Sequence, residues 1–86
     1  MIVTIEVYAD QKRFIRVTAE TAKNAFDNGE IIAITTAKRD RHENGLIRTS
    51  DPLIIKKSLL YSDLDRIAEM VKRVMNGNLV MFFVEH

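Results

Sequence analysis

Between residues 38 and 48 the chain reads KRDRHENGLIR, and this stretch offers the sharpest chemistry in the sequence. Lys38, Arg39, Arg41 and Arg48 supply cations, His42 a titratable ring, and Asn44-Gly45 a turn. Guanidinium groups bind carboxylate or phosphate through a planar fork of donors, so these residues suit anion recognition rather than bond making. An Asn-Gly pair is a strong hairpin signal, because a type I′ turn needs positive φ at both central positions. As a two-residue turn it sets Glu43 opposite Leu46, His42 opposite Ile47, Arg41 opposite Arg48 and Arg39 opposite Ser50. Strand alternation then puts Arg39, Arg41 and Arg48 on one face, with Lys38, Asp40 and His42 on the other.

Two arginines in direct opposition repel unless an anion sits between them. The ligand this arrangement calls for is an acidic protein surface or a nucleic-acid backbone. A plainer role competes with that one. A protruding hairpin needs charge to stay soluble and to avoid pairing along its edges. Four cations against Asp40 and Glu43 leave the stretch at only +2, with no aromatic side chain for base stacking.

Other residue types add little chemistry. His42 at a hairpin tip lacks the preorganised partner that a general base needs. Asp63, Asp65 and Glu69 resemble a carboxylate cluster, but acidic residues at the start of a helix serve capping and the helix dipole equally well. The chain has no cysteine, no Gly-rich phosphate loop, no nucleophile–histidine constellation and no zinc-spaced ligand set. No catalytic residue, cofactor, metal or small-molecule substrate is expected. Met70 lies off the apolar stripe of its helix, so it is expected to be exposed and available for contact.

The elements that must carry the arginine arm follow from periodicity. IVTIEVY alternates as a half-buried strand, with Val3, Ile5 and Val7 on one face, and RFIRVT continues it as a hairpin after the turn ADQK. TAETAKNAFDNG shifts to helical spacing, with Thr18 as N-cap and Asn28-Gly29 as the stop. EIIAITTA is apolar on both faces, as an inner strand is. LIRTS and PLIIKK make a long strand that breaks or bulges at Pro52, which supplies no N–H. SDLDRIAEMVKRVMNGN is the clearest helix. Ser62 is its N-cap, and Leu64, Ile67, Ala68, Val71, Val74 and Met75 form its apolar stripe. LVMFFV ends the pattern as a strand with no polar face, best placed inside a sheet.

These readings give one α+β domain over 1–86: a mixed five-stranded sheet in chain order β-β-α-β-β-α-β. Two helices lie mainly on one face, and a basic hairpin protrudes. With 47% hydrophobic and 29% charged residues the chain is neither disordered nor fibrous. A net charge of +1 argues against a dedicated nucleic-acid binder. No apolar run is long enough to span a bilayer, so no membrane partner is expected and the cytoplasm is the default location.

Cover for the sheet sets the last expectation. One short alanine-faced helix and one long helix shield about one face of five strands, and monomers rarely leave large apolar patches open. A symmetric homodimer, built by sheet-to-sheet packing or edge pairing, is the expected remedy. The protein is then a non-enzymatic interaction or regulatory module, gripping an acidic partner through Lys38, Arg39, Arg41, His42 and Arg48, with Met70 as a further contact. A nucleic-acid binder using two such arms, extended by Lys12, Arg13 and Arg16, is the second reading. A hydrolase with its site at the dimer interface is the third.

Overall fold

The computed structural model of the chain describes residues 6–40, 45–58 and 61–86. Expectations that fall on Val3, Ile5, Arg41, His42, Glu43 and Asn44 lie outside the described residues, as does the side chain of Ser62. The elements run β1 (Glu6–Ala9), β2 (Lys12–Val17), α1 (Ala19–Asp27), β3 (Ile32–Arg39), β4 (Leu46–Arg48), β5 (Leu53–Ile55), α2 (Tyr61–Met75) and β6 (Leu79–Glu85). The strands form one curled sheet in the order β1-β2-β6-β3-β4, with β5 also paired to β3.

Every neighbouring pair is antiparallel, which corrects the expected mixed sheet; β4 and β5 share one edge position, so the sheet is five strands wide. The reason lies in β3 and Pro52. β3 is eight residues long and accepts two partners along one edge, β4 at its C-terminal end and β5 at its N-terminal end. β4 pairs Ala37 with Arg48, whereas β5 pairs Ile34 with Leu53, so the four residues Thr49–Pro52 lie opposite only Thr35 and Thr36. Here the long strand bulges, as the missing N–H of Pro52 requires. β5 and β6 do run in the same direction, but β3 lies between them.

The bulge is closed by side chains. Thr36 donates its backbone N–H to Ser50 Oγ at 2.9 Å, where a ladder carbonyl would otherwise accept it. Thr49 N–H donates to the Thr36 carbonyl at 2.8 Å. Thr49 Oγ1 donates to Asn78 Oδ1 at 2.7 Å, and the Thr36 and Thr49 hydroxyls share a bond of 2.9 Å. Asn78 Nδ2 in turn donates to the Arg73 carbonyl at 2.8 Å, and Arg73 Nη1 donates to the Thr49 carbonyl at 2.6 Å. The C-terminal end of α2 is thereby tied to the break between β4 and β5.

β6 sits inside the sheet, between β2 and β3, as its apolarity demands. Its odd-numbered residues face away from the helices. On that inner face Ala33 lies directly opposite Phe83, and Thr35 opposite Met81. Small residues on β3 against large ones on β6 let the sheet curl without a void. Val7, Phe14, Ala33, Ala37, Met81 and Phe83 form one buried cluster there, with Ala9, Ile31, Leu46 and Ile54 packed at its margin. Phe14 and Phe83 are fully buried. The expected shortage of cover on this face is therefore corrected. Curling removes most of its apolar side chains from water within a single chain, Leu79 at the end of β6 excepted.

Both helices lie over the other face. Thr18 caps α1 by accepting the Thr21 N–H at 3.2 Å, and Gly29 follows the helix at φ 87°. Ala22 and Ala25 press onto Ile32, flanked by Val17, Phe26, Ile55, Phe82 and Val84. Small alanines bring α1 close to the sheet. The longer α2 does not settle as completely and leaves Leu64, Val71, Val74 and Met75 exposed.

Candidate functional site

Two surfaces compete for a functional role: the cationic end of β3 and β4, and the apolar face around α2. At the first, β3 and β4 pair Ala37 with Arg48, Lys38 with Ile47 and Arg39 with Leu46. Asp40 N–H donates to the Gly45 carbonyl at 2.8 Å, which closes a connection longer than the expected two-residue turn. The register is set from the other end, where the Thr36, Thr49 and Ser50 bonds pin β4. Asn-Gly does not override it.

Two consequences follow for the arginines. Arg48 lies opposite Ala37 rather than Arg41, so this pairing contains no opposed charges for an anion to relieve. Arg39 and Arg48 nevertheless share a face, because both stand in the alternation of Ala37, while Lys38 and Ile47 point to the helix side. Lys38, Arg39 and Arg48 are all exposed. Among the described residues the ion pairs belong to other cations: Lys12 to Glu85 at 3.7 Å, Arg13 to Glu6 at 3.9 Å and Lys23 to Asp27 at 3.1 Å. Lys12 and Arg13 stand at the opposite end of the sheet, about nine residues along the register from Arg39, or roughly 30 Å at about 3.3 Å per strand residue. They do not extend the cationic rim.

Met70 belongs elsewhere. It is half-buried rather than exposed, which corrects the expectation from its place on the helix wheel. It lines the space between α2 and the sheet, beside Ser50, Pro52 and Leu53 on one side and Ile34 and Ile67 on the other. The helix is rolled so that Ile67 and Met70 face inward. Part of the expected core stripe is consequently left in water: Leu64 is 52% exposed, Val71 52%, Val74 41% and Met75 81%.

Beside this flank runs an apolar groove of about 320 Å³, floored by Ile34, Ile55, Val80 and Phe82. A second hollow of about 330 Å³ continues from Ile55 and Phe82 to Phe26 and Ala22 of α1. The two helices thus stand apart on the sheet with a greasy channel between them. The apolar surface left open is on the helix side of the sheet, not on the opposite face where cover is expected to be short. The signal that could have found it is the width of the α2 stripe, since six apolar positions span more of a helix than one shallow sheet contact can bury.

Among the described residues no group of three or more histidines or carboxylates is placed to hold a metal ion. None of the described helices is long and apolar enough to cross a membrane. Comparison of the chain with family models, with curated proteins and with solved structures returns no match.

Proposed function

We propose that this chain is a small non-enzymatic interaction module, self-associating, that docks an acidic partner surface on the rim formed by Lys38, Arg39 and Arg48. The observation that carries the reading is the contrast in pairing. These three exposed cations make no ion pair among the described residues, while Lys12, Arg13 and Lys23 each have a carboxylate. Cations that find no counter-ion among the described residues give up little on meeting an external carboxylate.

Titration of the protein with a poly-glutamate peptide, alongside duplex and single-stranded nucleic acid, tests this at about 50 and 200 mM salt. The peptide binds, the affinity falls as salt rises, and Arg39→Gln/Arg48→Gln weakens it by on the order of tenfold without lowering Tm. A peptide affinity untouched by the double substitution refutes the rim. Tighter binding to nucleic acid, with a steep salt slope, replaces the acidic protein by a phosphate backbone.

A further inference from the structure

We propose that two copies of this chain pair through their α2 helices, packed antiparallel about a twofold axis between Ala68 and Val71. This gives the self-association in the reading above a seam. It uses none of the rim residues.

The seam is written in the spacing of the exposed flank. Leu64, Ala68, Val71 and Met75 recur at i, i+4, i+7 and i+11, the pattern of a helix–helix contact line. All four are exposed in the single chain. The line is self-complementary when reversed. Leu64 meets the partner's Met75, and Ala68 meets the partner's Val71. A small residue at the middle lets the two helices approach closely there, while the bulky ends fill the space on either side.

Charge fixes the direction. Asp65 and Lys72 lie together along the solvent side of the line, one near each end of the helix, and both are exposed. Antiparallel packing brings Asp65 beside the partner's Lys72, and symmetry repeats the contact. Parallel packing places these flanks on opposite sides of the contact, so Asp65 and the partner's Lys72 do not meet and neither charge is paired across the seam. The helix dipoles favour the same antiparallel choice.

Area supports a second copy as the occupant. Leu64, Val71, Val74 and Met75, at 41–81% exposure, present on the order of 400 Å² of apolar surface. In an interface that is about 57–65% apolar, this corresponds to roughly 600–700 Å² per copy, approaching the ~800 Å² of a standard interface. The channel floored by Ile55 and Phe82 adjoins the seam and is roofed by the approaching helix. A twofold contact also closes on itself, so it yields a dimer and no larger assembly.

Sedimentation equilibrium of the full chain from about 1 to 500 µM tests the seam, since an interface of this size is expected in the micromolar range. The wild-type protein passes from monomer to dimer within that range. Ala68→Glu weakens the dimer by at least tenfold and leaves Tm unchanged, because Ala68 is exposed in the monomer. Asp65→Lys alone and Lys72→Glu alone each weaken it by about threefold to tenfold. An equal mixture of those two variants pairs preferentially as the mixed dimer. There the two substituted positions face each other with opposite charge, and the unchanged Lys72 of one copy meets the unchanged Asp65 of the other. A monomer at every concentration overturns the proposal, as does a dimer indifferent to Ala68→Glu or a mixture without preference. Arg39→Gln/Arg48→Gln leaves the dimer constant unchanged, so failure of the rim and failure of the seam are read separately.

Discussion

Thr35 and Thr36 are adjacent, both fully buried, and point to opposite faces of β3, yet the same replacement by valine is expected to move stability in opposite directions. Thr36 Oγ1 is bonded to Thr49 Oγ1 at 2.9 Å. Thr49 already gives its own proton to Asn78 Oδ1, so Thr36 is the donor of that shared bond. Thr36→Val deletes one part-buried bond, a net loss of roughly 0.5–1.5 kcal/mol. Thr35 Oγ1 has no hydrogen-bond partner among the described residues. Burying a bare hydroxyl costs roughly 1–3 kcal/mol on protein scales, and valine keeps the shape while removing that cost. The two variants therefore differ by at least about 1.5 kcal/mol, with Thr35→Val above wild type and Thr36→Val below it. For a domain of this size that is a separation of at least about 6 °C in Tm. Urea and thermal unfolding followed by circular dichroism measure both. Shifts of the same sign, or a Thr35→Val variant less stable than wild type, refute the account of the two hydroxyls.

Two further outcomes follow from local geometry. Asp10 and Gln11 connect β1 to β2 with φ of 55° and 61°, a left-handed pair that disfavours residues bearing a Cβ. Gln11→Gly is expected to raise stability by about 0.5–1 kcal/mol, read as a higher urea midpoint at constant m. Asn78→Ala removes the bonds to Thr49 and to the Arg73 carbonyl, for a loss of about 1–2 kcal/mol. The Arg73 carbonyl keeps the backbone N–H of Asn78 at 3.0 Å, so a much larger loss in thermal unfolding speaks against this reading of the tie.

Several elements were legible in the sequence because their cause is local. Thr18 caps α1 through its own hydroxyl, Pro52 breaks a strand through its own ring, and LVMFFV announces an inner strand by lacking a polar face. The curl was not legible. It depends on Ala33 and Thr35 meeting Phe83 and Met81, and neither segment says which strand will be its neighbour. The hairpin register misled for the same reason. Asn44-Gly45 states a local preference, whereas the pairing of Arg48 with Ala37 is set by Thr49 and Ser50 bonding to Thr36 on β3. The α2 stripe was read correctly as apolar, but the roll of the helix that leaves Met75 in water and draws in Met70 is decided by the end tie through Arg73 and Asn78. For the candidate site, the cationic residue types were visible and their grouping was only partly so.

The placement of β6 also bears on how the protein is made. Residues 79–85 supply the middle strand, pairing with β2 roughly seventy positions earlier and with β3 roughly fifty earlier. While a ribosome still holds those seven residues in its exit tunnel, the emerged β1–β2 hairpin and the β3–β5 segment have open edges and no common neighbour. Such long-range closure slows folding and exposes unpaired strands to foreign ones. A nascent chain stalled with β5 emerged and β6 still inside the tunnel should engage holdase chaperones, and emergence of β6 should be the event that frees it.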